Sequence, residues 1–194
     1  MYTLLLDSSN TSLSVGFEKE GQLICYTSYE ASQEQSEHMI PEINKLMKEH
    51  NISTKDISKI VVAIGPGSYT GVRIALTIAK VMALALDIPL YPVSSLRILK
   101  DNDKPSICVI NARSGRSYFG VYQGKEIIVE DTIKTNEEVL KYIASHPDYS
   151  ICGNASYLGF KNNDSNCCLQ MVSLLDVLNP FDNNLSAKPV YLKD

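Results

Sequence analysis

Lys59-Ile60-Val61-Val62-Ala63-Ile64-Gly65-Pro66-Gly67-Ser68-Tyr69-Thr70-Gly71 reads as a strand running straight into a glycine-rich turn. Ile60 to Ile64 are apolar without a break and mostly β-branched, which predicts a strand buried on both faces. From Val72 to Leu86 apolar residues continue as a helix, until Asp87-Ile88-Pro89 stops it. Strand, glycine turn and helix in that order form half of a parallel α/β unit. Glycines at such a junction let the chain turn tightly and aim backbone N–H groups and the positive helix end at an anion. The interval is GxGxxxG and no lysine follows Gly71, so it is neither the P-loop nor the dinucleotide fingerprint. The same residues also suit a plain turn capped by Ser68 or Thr70.

Upstream, Thr3-Leu4-Leu5-Leu6 predicts a second buried strand, closed by Asp7. Ser12–Phe17 alternates, and Leu23–Tyr29 returns across the turn Glu18–Gly21, so three antiparallel strands open the chain. An acid ending a central strand beside the Gly65–Gly71 loop suits a metal–nucleotide, whereas alone it suits an Asx turn. Met39, Ile40, Ile43, Leu46 and Met47 recur at helical spacing behind a Ser36 cap, with Pro41 inside the pattern. Leu90–Val93 predicts a short strand, and Ser94/Ser95 open a helix through Leu99.

Asp101-Asn102-Asp103-Lys104-Pro105 is polar and turn-forming, and marks a boundary between residues 1–103 and 104–194. Beyond it come a strand over Ile107–Asn111, a hairpin of Tyr118–Tyr122 with Glu126–Glu130, a capping box at Thr135/Glu138 opening a helix to His146, and a strand over Tyr149–Cys152. Asn162–Asn166 reads as a loop. Three strands, a helix and a strand therefore occur twice, the second time abbreviated, as in a duplicated α/β unit.

Val72–Leu86 is apolar on nearly every face. Ala75, Ala79 and Ala83 form a small ridge, and Ile74, Ile78 and Met82 a larger one. One face can cover the sheet; the other needs either the first helix, through Met39, Ile43 and Met47, or a partner's helices. Arg113 and Arg116 fall in a turn after a strand, suited to an anion or interdomain contact or to plain solvation.

Composition narrows the class. Eighteen basic and 22 acidic residues among 194 give a net charge of −4, against the basic excess of a chain that grips nucleic acid by itself. Five cysteines, two of them adjacent at 167 and 168, with no CxxC and no paired histidine spacing, offer neither a disulfide framework nor a metal site. No basic leader precedes Asp7, and no run of about 18–20 apolar residues occurs, so the expectation is a reduced, cytoplasmic chain with no membrane segment.

Leu4–Ser9, Gln35–Pro41, Gly65–Ile74, Val93–Leu96 and Asn111–Arg113, with the closing Pro189-Val190-Tyr191-Leu192, together resemble the TsaB (YeaZ) family. That resemblance implies an ASKHA (actin-like ATPase, ribonuclease H-like) α/β fold, with two lobes that each hold a mixed sheet and flanking helices, the second abbreviated. It implies a non-catalytic subunit in N6-threonylcarbamoyladenosine synthesis at adenosine 37 of tRNA. The subunit would bind a TsaD-like transferase through its N-terminal helices (Met39, Ile43, Met47, Ile74, Ile78, Met82). A TsaE-like ATPase would join them, tRNA would be bound through the complex, and a homodimer would form when the chain is alone. Asp7, Gly65, Gly67, Ser68 and Gly71 would be a vestigial nucleotide loop, with no cofactor required by this chain and ATP or ADP accommodated in the assembly. Pro92-Val93-Ser94-Ser95-Leu96-Arg97 lacks the histidine pair of TsaD-like proteins, Asn111 stands where the family usually has Asp, and Gln35 where His is common. The alternatives are an ATP-dependent phosphotransferase of the same fold and, less favoured, a metalloprotease.

Overall fold

The computed structural model describes residues 1–31, 34–101, 104–163 and 165–192. Two sheets carry the chain. The first has the order β3–β2–β1–β4–β5, from β1 (Tyr2–Asp7), β2 (Ser12–Lys19), β3 (Gln22–Glu30), β4 (Ile57–Ala63) and β5 (Leu90–Val93). The second has the order β8–β7–β6–β9, from β6 (Ser106–Arg113), β7 (Arg116–Gln123), β8 (Glu126–Thr135) and β9 (Ser150–Gly153). In each, a meander of three antiparallel strands is extended by a parallel strand beside the first of the three, β4 beside β1 and β9 beside β6. A helix makes each crossover: α1 (Gln35–Glu49) in the first lobe and α3 (Asn136–Ser145) in the second. The repeat is thus topological, and among the described residues the second sheet has no counterpart of β5, which follows α2 (Tyr69–Leu86) in the first lobe.

The continuous apolar runs of β1 and β4 are explained by cover on both faces. Leu4, Leu6, Ile60 and Val62 point into a core roofed by α1 and α2, whereas Leu5, Val61 and Ala63 pack against Cys168, Met171 and Leu174 of α4 (Cys167–Leu174). Gly16 of β2 permits this, since a side chain there would start 2.9 Å from the Cys168 sulfur. The last strand of the first sheet ends at Val93 and the first of the second begins at Ser106, yet packing crosses between the lobes: α4 and the segment after it return to the first lobe. Of the boundary segment, Asn102 and Asp103 lie outside the described residues, as does Asp164 of the Asn162–Asn166 stretch.

Residues 181–191 run across the first lobe as a strap. The Phe181 N–H donates to the Leu90 carbonyl (2.9 Å), and Asn184 bridges the Leu90 N–H and the Ile88 carbonyl, so the open edge of β5 is occupied. Lys80 donates to the carbonyls of Leu185 and Ala187, and the Val190 N–H donates to the Ile64 carbonyl at 2.7 Å. Part of the cover that α2 needs thus comes from the chain itself.

Three local expectations change. No side chain caps α1 at Ser36; the helix starts at Gln35, whose buried amide donates to the Asn10 carbonyl (3.2 Å) and so fixes the helix start against the β1–β2 turn. Ser94 does cap the start, accepting the Leu96 and Arg97 N–H groups, but only the short 3-10 turn Arg97–Leu99 follows before the backbone turns extended at Lys100. The eighteen-residue α2 is long and apolar enough, by length and composition, to cross a membrane, contrary to the reading of its core alone. A third of the helix is buried in the lobe's own core, through Gly71, Val72, Ala75, Leu76, Ala79 and Ala83. The Thr135–Glu138 capping box forms as read.

Met39 and Ile43 belong to the core between α1 and the sheet, with 0% and 3% of their surface exposed. Met39→Ala should therefore cost about 2–5 kcal/mol of folding free energy, while Leu84→Ala on the open face of α2 should stay within about 0.5 kcal/mol. Urea denaturation followed by circular dichroism measures both.

Candidate functional site

β1 and β4 are parallel neighbours, so the two segments after them meet. The Ser8 hydroxyl donates to the Gly71 carbonyl (2.7 Å), the Ser68 N–H donates to the Ser9 carbonyl (2.7 Å), and the Ser68 hydroxyl caps α2 by accepting from the Gly71 N–H (3.2 Å). Asp7, Gly65, Gly67, Ser68 and Gly71 are thus brought to one sheet edge.

Their environment differs from a phosphate cradle. A Cβ on Gly67 would collide with the Ser9 carbonyl oxygen and one on Gly71 with that of Ser8. Gly65 has a φ of +107°, donates to the Ser95 hydroxyl at 3.0 Å, and faces the Val190 carbonyl, 2.6 Å from where its Cβ would sit. The three glycines admit the protein's own backbone. Asp7 is buried beneath this seam, where its carboxylate accepts the Ser9 N–H (2.8 Å) in an Asx turn. Burial pushes its carboxyl above the ordinary range, and the Ser9 hydrogen bonds offset only part of this.

The open volume lies next to the seam, between the lobes. This cleft of about 770 Å³ falls within the size range typical of ligand sites. One wall is Asn10, Thr11, Gln35, Ser36 and Gly67–Thr70; the other is Ile110–Arg113, Tyr118 and Asn154. Gly67 and Ser68 reach it from the expected loop, while Asp7, Gly65 and Gly71 do not line it. Arg113 is the one charged residue among the described lining residues. At the cleft mouth, Tyr69 stacks on Tyr191 with ring centroids 5.4 Å apart, and the Arg73 guanidinium lies 3.9 Å from the Tyr69 centroid and donates to the Tyr191 hydroxyl. The closing motif had marked Tyr191 in sequence; its partners Tyr69 and Arg73 carried no signal beyond sharing the family stretch.

Behind the cleft the lobes are tied by polar contacts. The Ser94 hydroxyl donates to Asp131 on β8 (2.6 Å), which also accepts from the Tyr122 hydroxyl on β7. Burial raises the Asp131 carboxyl and holds the Tyr122 hydroxyl far above its ordinary value. No group of three or more His, Cys, Asp or Glu stands close enough to hold a metal ion among the described residues.

The six helix residues fall into groups by burial in the chain itself. Met39 and Ile43 are covered by the chain itself, and Met47, Ile78 and Met82 are half-buried against that core. Ile74 is half-buried and reaches the cleft wall. The open apolar positions are Ile40 on α1 and Val81 and Leu84 on α2, exposed by 51%, 62% and 61%.

Two mixed sheets with flanking helices and a cleft between them define an ASKHA-type α/β protein. Residues 28–165 match the family model described as TsaD: tRNA N6-adenosine threonylcarbamoyltransferase. The chain belongs to that family, and it spans less than two thirds of the length of the TsaB relatives that it matches. It is 38% identical over 145 residues to the tRNA threonylcarbamoyladenosine biosynthesis protein TsaB of Bacillus subtilis, a match covering 72% of this chain and 63% of that protein. It is 26% identical to the Mycoplasma genitalium protein MG208 over 196 residues, covering all of this chain and 95% of that one. Its fold superposes on YeaZ from Pseudomonas aeruginosa with a TM-score of 0.83 at 22% identity, over 98% of this chain and 99% of the other.

Two expected outcomes follow from the seam. Gly71→Ala should lose about 1–3 kcal/mol in chemical denaturation, because the Ser8 carbonyl it meets is backbone and yields little. Asp7, held above its ordinary value of 3.8, binds its proton more tightly folded than unfolded. Its contribution is therefore full below about 3.8 and is lost as pH rises through the raised folded value. Asp7→Asn, which keeps the acceptor oxygen, should flatten the fall in stability that the parent shows as pH rises above about 3.8 in denaturation series.

Proposed function

We propose that this chain is the non-catalytic subunit that makes a TsaD-like transferase competent to place the threonylcarbamoyl group on adenosine 37 of tRNA. Family membership and the name of the B. subtilis relative support the pathway. The observation that carries the subunit role is the open apolar face of α1 and α2. Large side chains at Ile40, Val81 and Leu84 stay exposed on two neighbouring helices, although the strap has already covered the flank of α2. Such a face is a docking surface for helices of a partner. In the absence of the transferase the same face would pair two copies of this chain. A TsaE-like ATPase and ATP or ADP would belong to the assembly, which would work in the cytoplasm on tRNA.

Against the phosphotransferase alternative stands Asp7, which is buried in an Asx turn and does not line the cleft. Against the metalloprotease stands the sequence Pro92–Arg97, which carries no histidine.

The Val81→Asp/Leu84→Asp double variant should remain folded, with a melting midpoint close to that of the parent, and lose at least tenfold in affinity for the TsaD-like transferase by size-exclusion chromatography and calorimetry. Threonylcarbamoyl transfer to tRNA, assayed with and without this chain, should fall to the transferase-alone level in the double variant. Undiminished transfer without this chain would overturn the reading.

A further inference from the structure

Resting on the tRNA-modification reading, we infer that the interlobe cleft seats an unpaired RNA segment of the substrate, with Arg113 on a phosphodiester and Tyr69 against a base. The lining is what singles out this ligand class. A tyrosine stands on each wall, Tyr69 from the first lobe and Tyr118 from the second, and between them lie hydroxyls and the amides of Asn10, Asn111 and Asn154. Unpaired bases are bound by stacking on such rings and by amides that read their edges. The charge agrees. The described lining residues hold no carboxylate, and their one cation is Arg113, in a chain with a net charge of −4. Arg113 stands at the β6–β7 turn, where it is exposed to an incoming strand.

A magnesium-bound triphosphate would ask for more: several cations for its oxygens and an acid for the metal. The nearby acid, Asp7, lies buried below the seam and is already turned to the Ser9 N–H. One arginine matches the single charge that each nucleotide of a strand carries. The weak charge also explains why the cleft would act within the complex and not by itself, since a single phosphate contact supplies little affinity.

The test uses the assembled complex with its TsaD-like transferase and an anticodon stem-loop transcript as probe, with anisotropy titrations across salt concentrations. Arg113→Ala should lower the slope of log affinity against log salt by about 0.7, and Arg113→Lys should restore most of it. Tyr69→Ala should weaken binding by roughly 5- to 100-fold with the salt slope unchanged. Melting midpoints and complex size are measured on every variant: the exposed Arg113 variants are expected to match the parent, and Tyr69→Phe, which keeps the ring beside Tyr191 and Arg73, is expected to keep both the midpoint and the RNA affinity. Unchanged affinity and slope in all variants, with the complex intact, would overturn the cleft proposal alone. So would Mg-ATP binding to the isolated chain that is lost in Arg113→Ala while RNA affinity is kept. Failure of the parent chain to join the transferase would instead overturn the subunit reading, and the cleft proposal with it.

Discussion

Everything at the centre of this molecule depends on one backbone-to-backbone approach. The turn after β1 and the turn after β4 lie so close that no side chain fits at Gly67 or Gly71, and the carbonyls of Ser8 and Ser9 occupy the space. Two hydrogen bonds, from Ser8 to Gly71 and from Ser68 to Ser9, close the contact. That seam sets where α2 begins, how it lies on the sheet, and which of its faces remains open. It also places the start of α2 at the wall of the cleft, opposite the β6–β7 turn of the other lobe.

Burial under the seam changes what Asp7 can do. In an α/β protein an acid at the end of a central strand is well placed to meet a ligand. Here the acceptor capacity of the carboxylate serves the local turn, and removing it from water disfavours its charge. The cleft beside it is left with neutral hydrogen-bonding groups, two tyrosines and one arginine.

Much of the first lobe could be read from the chain alone. The runs at Thr3–Leu6 and Ile60–Ile64 are apolar on both faces because α1 and α2 cover one and α4 the other. α4 itself gave little warning. Eight residues, Cys-Cys-Leu-Gln-Met-Val-Ser-Leu, are too few to show a period, and only Asn166, whose side chain caps the helix, marks the start. The strap left still less trace, since Asn184 and Lys80 look like surface residues until the chain that they hold is in place. At the site, the meeting of Asp7 with the glycine loop was legible from strand order. Which way the glycines face was not, because a residue without a side chain looks the same in sequence whether it admits a ligand or a neighbouring carbonyl. Exposure on α1 was hidden for a similar reason: spacing finds its apolar face, but Met39 and Ile43 of that face are buried in the lobe's own core while Ile40 stays exposed.

The strap also has a bearing on how the molecule comes into being. Lys80 and Arg73 are anchored by residues more than a hundred positions later in the chain. The lobe that leaves the ribosome first is therefore the one finished last. For the time taken to synthesise the intervening hundred residues, the edge of β5 and the flank of α2 stand open, at risk of pairing with other nascent chains. The small second lobe, whose sheet is complete once β9 has emerged, has contacts closer together in sequence and less of this exposure.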